Sequence, residues 1–295
     1  MNKIDKLILG TAQFGLNYGI NNQRGKIPKQ EVFEILHKAT KFRIYFLDTA
    51  YSYGDSEKVI GEFIKTNPKN RLKIISKLPP CRKNNVENIV NTSLKRLGIS
   101  KLYGYLIHSF ESYREEPSIW DELEKVKQKG YIQKIGFSLY YPSELEFLFK
   151  KNIKLDILQI PYNIFDQRFE SYFEEIKKRK IELYVRSIFL QGLVFKNLEE
   201  LSKFFNPIKD KLQYLHRLSI EKNTSILSLC LIFAIRNKFI DKVIVGIDSL
   251  NQLNEIINSV NRKSVDEDTI QQLKQLRFDN EKIILPCNWP KNYKR

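Results

Sequence analysis

Asp48, Tyr53, Lys77 and His108 have the strongest claim to chemistry in this 295-residue chain. The first two stand in LDTAYSYGDSEKVIG, the third ends IISK, and the fourth follows YLI. A phenol titrates near a pH of about 10, so a free tyrosine is a poor acid at neutral pH. A neighbouring ammonium favours the phenolate and lowers that pKa. A carboxylate behind the lysine would hold it charged and in place. An imidazole could exchange a hydrogen bond with the reacting oxygen and orient a substrate. Together these groups can protonate an alkoxide as hydride arrives at carbon, yet none supplies hydride, so a nicotinamide partner is required.

Singly, each residue has an ordinary explanation. Asp48 before Thr49 can cap a turn. Tyr53 is one of 15 tyrosines, and most tyrosines pack with a wet hydroxyl. Lys77 can be one more surface lysine and His108 a satisfied core histidine. The four acquire meaning only if the chain brings them together, which depends on its elements.

Eight short apolar runs read as buried strands at residues 7–9, 44–47, 73–76, 102–107, 132–137, 155–160, 182–187 and 242–245. Helical periodicity lies between them at 29–40, 86–97, 119–129, 144–149 and 169–179. Residues 207–236 hold two helices, the second from about Ser225, and 250–260 and 266–277 close the chain. Strand and helix alternating in this way predict a (β/α)8 TIM barrel, a single domain over residues 1–295. An open doubly wound sheet is the alternative. It would usually carry a G-x-G-x-x-G fingerprint, which Gly10 and Gly15 do not form, and no P-loop is present. In a barrel, catalytic side chains stand at the C-terminal ends of the strands. Asp48, Tyr53, Lys77 and His108 then converge from the ends of strands two, three and four.

Composition narrows the class. Hydrophobic residues make up 42%, enough for a large core. No run approaches the roughly 20 apolar residues of a membrane span, and the first residues lack the pattern of a cleavable signal, so a cytoplasmic protein without a membrane partner is expected. Cys81, Cys230 and Cys287 are dispersed, as are His37, His108 and His216, so neither a disulfide framework nor a metal site is expected. The net charge of +16 could attract anions, but the lysines are scattered and no basic patch forms. The densest run, residues 177–180, sits at a helix end. No nucleic-acid partner is expected, and oligomeric state is left open.

The landmarks LGTAQFG, DTAYSYGDSEKVIG, Lys77 and His108 resemble the aldo/keto reductase family, and the resemblance covers nearly the whole chain. It implies a catalytic tetrad of Asp48, Tyr53, Lys77 and His108, with the tyrosine as general acid. It also implies a small-molecule carbonyl substrate and an NADP cofactor held by Gly10, Thr11 and residues of the later strands. GFSLY offers Ser138 for the carboxamide, with Leu139 where an asparagine is usual, and ILQIPYN offers Gln159. VRSIFLQGLV resembles the family's Y-S-P-L-G-x-G-L block and contributes Arg186, Ser187, Leu190 and Gly192, with Arg186 in place of a stacking aromatic. A guanidinium plane can also stack on a ring. After strand eight, Gly246 is read as starting a helix N-terminus suited to phosphate, and Gln252 and Glu255 match the family. Ser249 stands where an arginine commonly grips the 2′-phosphate, beside Asp248, and Ile256 replaces an asparagine. These departures admit NAD as well as NADP and predict dissociation constants within about tenfold of each other.

Two other functions fit parts of the pattern. One is a non-catalytic barrel that senses nicotinamide and binds a partner protein, which would not need Lys77 and His108 beside Tyr53. The other is a lyase or aldolase with Lys77 as a Schiff-base nucleophile. The substrate is written least clearly. Residues 17–26, Tyr140, Tyr141 and residues 163–168 are expected to rim the pocket. The opening motif and the VRSIFLQGL block are similar to a bacterial branch associated with surface sugars, which leans toward a sugar or nucleotide-sugar carbonyl. The C-terminal LPCNW, ending at Trp289, either folds over the site or packs outside the barrel.

Overall fold

In the computed structural model, which describes residues 3–20, 22, 24–261 and 265–290, eight short parallel strands close into a barrel. They are β1 (Leu7–Gly10), β2 (Phe46–Asp48), β3 (Lys73–Leu78), β4 (Leu102–Ile107), β5 (Ile132–Ser138), β6 (Ile157–Pro161), β7 (Glu182–Arg186) and β8 (Lys242–Gly246). Strand β8 returns to pair with β1, so no edge is left open. The register aligns the functional ends. Gly10 pairs with Asp48 on one side and Gly246 on the other, and Ser138 pairs with Gln159.

The short α1 (Ala12–Gly15) lies at the barrel top, and the helices that follow are α2 (Lys29–Lys41), α3 (Ser56–Thr66), α4 (Val86–Leu97), α5 (Phe110–Glu115), α6 (Ser118–Gln128) and α7 (Pro142–Lys150). They continue with α8 (Phe173–Lys178), α9 (Lys209–Glu221), α10 (Ile226–Arg236), α11 (Leu250–Asn261), α12 (Glu267–Lys274) and α13 (Glu281–Ile284). The apolar face expected for the first long helix is the buried one, with Val32, Ile35, Leu36 and Ala39 turned inward. Inside the barrel, Ile8, Ile75, Leu106, Ile157, Tyr184 and Ile244 interlock, so the interior is a packed core and any site must lie above it. Among the described residues no single helix is long and apolar enough to cross a membrane.

Strand positions agree with the periodicity to within about two residues, the usual slack at element ends. Three readings are corrected. No helix is expected between the second and third strands, yet α3 stands there; its apolar face of Val59, Ile60 and Phe63 is interrupted by Gly61. Residues 169–179 form a 3-10 turn (Glu170–Tyr172) followed by the short α8, not one helix. Gly246 ends β8, and α11 begins only at Leu250.

Candidate active site

Lys77 comes from β3 with its side chain turned into the barrel mouth and almost wholly buried. Its Nζ donates to Asp48 Oδ2 at 2.6 Å and to the Thr49 carbonyl at 2.9 Å. The other Asp48 oxygen accepts from Gln159 Nε2 at 2.8 Å, and Ser138 Oγ donates to Gln159 Oε1 at 3.2 Å. Ends of β2, β3, β5 and β6 are thereby tied into one polar network above the apolar core. Burying a charge is costly unless it is paired and hydrogen-bonded, and here both members are. Burial draws the Lys77 pKa below its ordinary value, with Asp48 acting against it.

Tyr53 lies over this pair. Its ring centroid is 5.1 Å from Lys77 Nζ and 5.8 Å from the His108 ring, which meets it edge-on. Burial first, and the Asp48 carboxylate second, push its phenol well above the ordinary tyrosine range. This reverses the direction expected from a neighbouring ammonium. Burial penalises the phenolate, and Asp48 already occupies the ammonium's strongest contact. His108 follows β4, with Nδ1 at 3.4 Å from Ser52 Oγ. Burial, with Lys77 and Arg186 nearby, draws its pKa down to about 3, so the imidazole is neutral near pH 7.

The loop carrying Tyr53 is held from below. Ser56 Oγ donates toward the Thr11 carbonyl at 3.0 Å, and Glu57, buried at the start of α3, accepts from Ser76 Oγ at 2.7 Å. Arg96 pairs with Glu57 and donates to the Tyr51 carbonyl, each at 3.3 Å. The Ser and Glu of GDSE thus serve as supports, a role that spacing alone did not reveal.

A cleft with about 1130 Å³ of open space, its mouth included, spans the barrel top. Asp48, Tyr53 and His108 line its floor, and Gly10, Thr11, Ser138, Gln159, Arg186, Ser187, Gly192, Gly246 and Gln252 line its walls. Four expected residues lie off this lining. Lys77 sits behind Asp48. Leu190 is fully buried beneath the loop after β7. Ser249 Oγ instead accepts from Gln252 N at 3.2 Å and caps α11, and Glu255 is exposed farther along that helix. Arg186 is already stacked on Tyr140, 4.1 Å from the ring, and its Nη2 donates to the Leu139 carbonyl at 3.0 Å. Of the expected rim, Tyr18, Gly19, Asn22 and Tyr140 line the cleft, whereas Asn163, Asp166 and Gln167 are buried loop supports. Asn21 and Gln23, also expected there, lie outside the described residues. Gln13, Phe189, Gln191 and Phe195 were not anticipated and also line it.

Residues 6–277 match the sequence profile described as the Aldo/keto reductase family. The chain belongs to that family. Over 292 residues it is 23% identical to an uncharacterised oxidoreductase, YqkF, of Bacillus subtilis, a match covering 90% of this chain and 94% of that protein. Over 181 residues it is 30% identical to the chloroplastic pyridoxal reductase of Arabidopsis thaliana, covering 54% of this chain and 48% of that protein. The holo form of aldo-keto reductase AKR11C1 from Bacillus halodurans superposes with a TM-score of 0.77 at 20% identity, covering 93% of this chain and 94% of that one. That likeness is one of fold. As an aldo/keto reductase the chain is an NAD(P)H-dependent oxidoreductase acting on small-molecule carbonyl compounds.

The cleft suits such a cofactor on chemical grounds. Gln13 Oε1 is buried there without a hydrogen-bond partner among the described residues, and a donor is what it lacks. A carboxamide or a ribose hydroxyl provides one. Gly246, at the cleft wall, leaves the Gln13 amide close by, with Nε2 3.4 Å from where a β-carbon would stand.

Proposed function

We propose that this aldo/keto reductase reduces a hydroxylated aldehyde or ketone, with a sugar or nucleotide-sugar as the favoured class and Tyr53 as the proton donor. The reading takes residues 1–295 as one catalytic domain. Its main support is the phenol of Tyr53 on the cleft floor, packed on the buried Lys77–Asp48 pair and against a neutral His108. When bound, the nicotinamide supplies the hydride. Ser138 and Gln159 would hold its carboxamide, Arg186, Ser187 and Gly192 would receive its ring, and Gly10, Thr11, Gly246 and Gln252 would hold the remainder.

Proton delivery belongs to the protein. The raised pKa keeps Tyr53 protonated throughout the neutral range, so the donor is loaded before substrate arrives. Lys77 fixes the phenol's position and counters negative charge as the proton leaves. If Ser52 Oγ donates to His108 Nδ1, the proton sits on Nε2, which can then donate to the carbonyl oxygen. Schiff-base chemistry at Lys77 is disfavoured, because its nitrogen is held by Asp48 and Thr49 behind the cleft wall.

The rim combines the amides of Gln13, Asn22 and Gln191 with the rings of Tyr18, Tyr140, Phe189 and Phe195. Amides suit hydroxyl groups, and the rings suit the flat face of a sugar or an aromatic aldehyde. Two relatives are named as reductases of pyridoxal and of indole-3-acetaldehyde, so aromatic aldehydes belong in the test. The deciding experiment follows nicotinamide oxidation at saturating NADH and NADPH across aldoses, keto-sugars, nucleotide-sugars and aromatic aldehydes. Hydroxylated carbonyls should be turned over fastest. Turnover confined to unsubstituted aldehydes would overturn the substrate class, and none at all would overturn the reductase reading.

A further inference from the structure

The start of α11 stands at the cleft edge, since Asp248 and Gln252 both line it. A helix N-terminus attracts anions through its free N–H groups and dipole. In this chain an anion from elsewhere already sits there. Glu31, in the first turn of α2, accepts from the Leu250 backbone N–H at 3.2 Å through Oε1. The same carboxylate is gripped by both Arg24 nitrogens, Nη2 to Oε2 at 2.6 Å and Nη1 to Oε1 at 3.0 Å. Arg24 Nη1 also reaches the Asp248 carbonyl at 3.2 Å, and the Arg24 backbone N–H donates to Asn22 Oδ1 at 3.0 Å. The pair is thus anchored on both sides to residues of the cleft. Gln13, which lines the same cleft beside Gly246, keeps a buried Oε1 without a hydrogen-bond partner among the described residues, an independent mark of a place that a ligand completes.

We propose that Glu31 is an internal anion filling the place where a 2′-phosphate would dock, and that it makes this enzyme select NADH over NADPH. The inference rests on the cleft being a nicotinamide dinucleotide site. To bind a 2′-phosphate, Arg24 must give up a two-pronged contact with Glu31, and the released carboxylate then faces the phosphate. A free ribose 2′-hydroxyl meets no such conflict and can donate to the carboxylate, as acidic residues do in dinucleotide sites of other folds. Arg24 holds the Glu31 carboxyl below its ordinary pKa, so the plug is charged at neutral pH. This departs from the near-equal affinities expected from Ser249 and Asp248, because Glu31 adds a second carboxylate beside the same helix end.

Calorimetric titration of the intact chain with NADH and NADPH at one salt concentration tests this directly. The parent should bind NADPH at least about tenfold more weakly than NADH. Glu31→Gln should lower the ratio of the two dissociation constants about tenfold, because the amide keeps the shape without the charge. Arg24→Ala, at a half-exposed position, should raise the ratio by leaving the carboxylate bare. A parent ratio of one or less would overturn the proposal, as would a ratio that Glu31→Gln leaves within about twofold of the parent. Failure of both cofactors to bind the parent would overturn the cofactor reading and this inference with it. Binding of both with no response to Glu31 would overturn the inference alone.

Discussion

Burial sets the protonation of the side chains proposed for catalysis. Tyr53 sits above its ordinary pKa and His108 far below, each shifted mainly by loss of solvent. Tyr53→Phe removes the proton and keeps the ring, so turnover should fall roughly 100- to 10,000-fold while cofactor affinity changes little. A variant that reduced every accepted carbonyl at the parent rate would show that the proton comes from elsewhere. For His108, the folded pKa of about 3 lies below the ordinary 6.5. The folded state therefore binds fewer protons than the unfolded chain between those values. The stability this contributes is complete above pH 6.5 and is lost as pH falls toward 3. At pH 5 the loss reaches about 2 kcal/mol at most, less any relief from solvent in the cleft. Urea unfolding at pH 5 and 7.5 should show that difference in the parent and a smaller one in His108→Gln; an equal difference in both would refute the assignment.

At the level of elements, the Tyr53 loop is placed by a close crossing of two chain segments. A β-carbon on Gly15, at the end of α1, would stand 1.9 Å from the Tyr53 carbonyl oxygen and 2.5 Å from Ser56 N. Gly54 meets the same crossing from the other side, with a φ of +54° that suits glycine. The glycines of QFG and YGDS are thus two halves of one contact. Gly15→Ala forces backbone atoms apart, so the Tyr53 loop must move. It should lose about 1 to 3 kcal/mol of stability and at least about tenfold in turnover, the second from misplaced chemistry. Thermal melting and steady-state rates measure the two losses. Parent-like values of both would mean that the crossing relaxes without moving Tyr53.

For the whole molecule, the C-terminal segment acts as a buttress. Trp289 is buried against Phe205, edge to face at 5.0 Å between ring centroids, and its Nε1 donates to the Ile283 carbonyl at 2.7 Å. Neither Trp289 nor its neighbours in LPCNW line the cleft. Of the two placements open from sequence, packing outside the site is the observed one. Trp289→Ala should cost about 3 to 5 kcal/mol of stability through the cavity it leaves. Cofactor affinity of the folded fraction should stay near the parent value. A selective loss of affinity at unchanged melting temperature would contradict this and place the segment at the site.

Local periodicity sufficed for the barrel, because each strand and most helices bury a face that repeats along the chain. The clustering of the candidate residues followed in outline, since the end of a strand can be found in one dimension and Asp48, Lys77 and His108 all stand at or beside such ends. The α3 helix escaped the sequence reading, because Gly61 interrupts its apolar face. Tertiary structure alone decided the rest. Leu190 points into the core and Ser249 caps a helix, though both stand in motif positions. The direction of the Tyr53 shift needed the depth of its burial and the prior claim of Asp48 on Lys77. Above all, Glu31 reaches Leu250 across 219 positions of sequence. Periodicity reports which face of an element is buried. Charge at a point in space is summed over every group the fold brings there, and no spacing rule carries that sum.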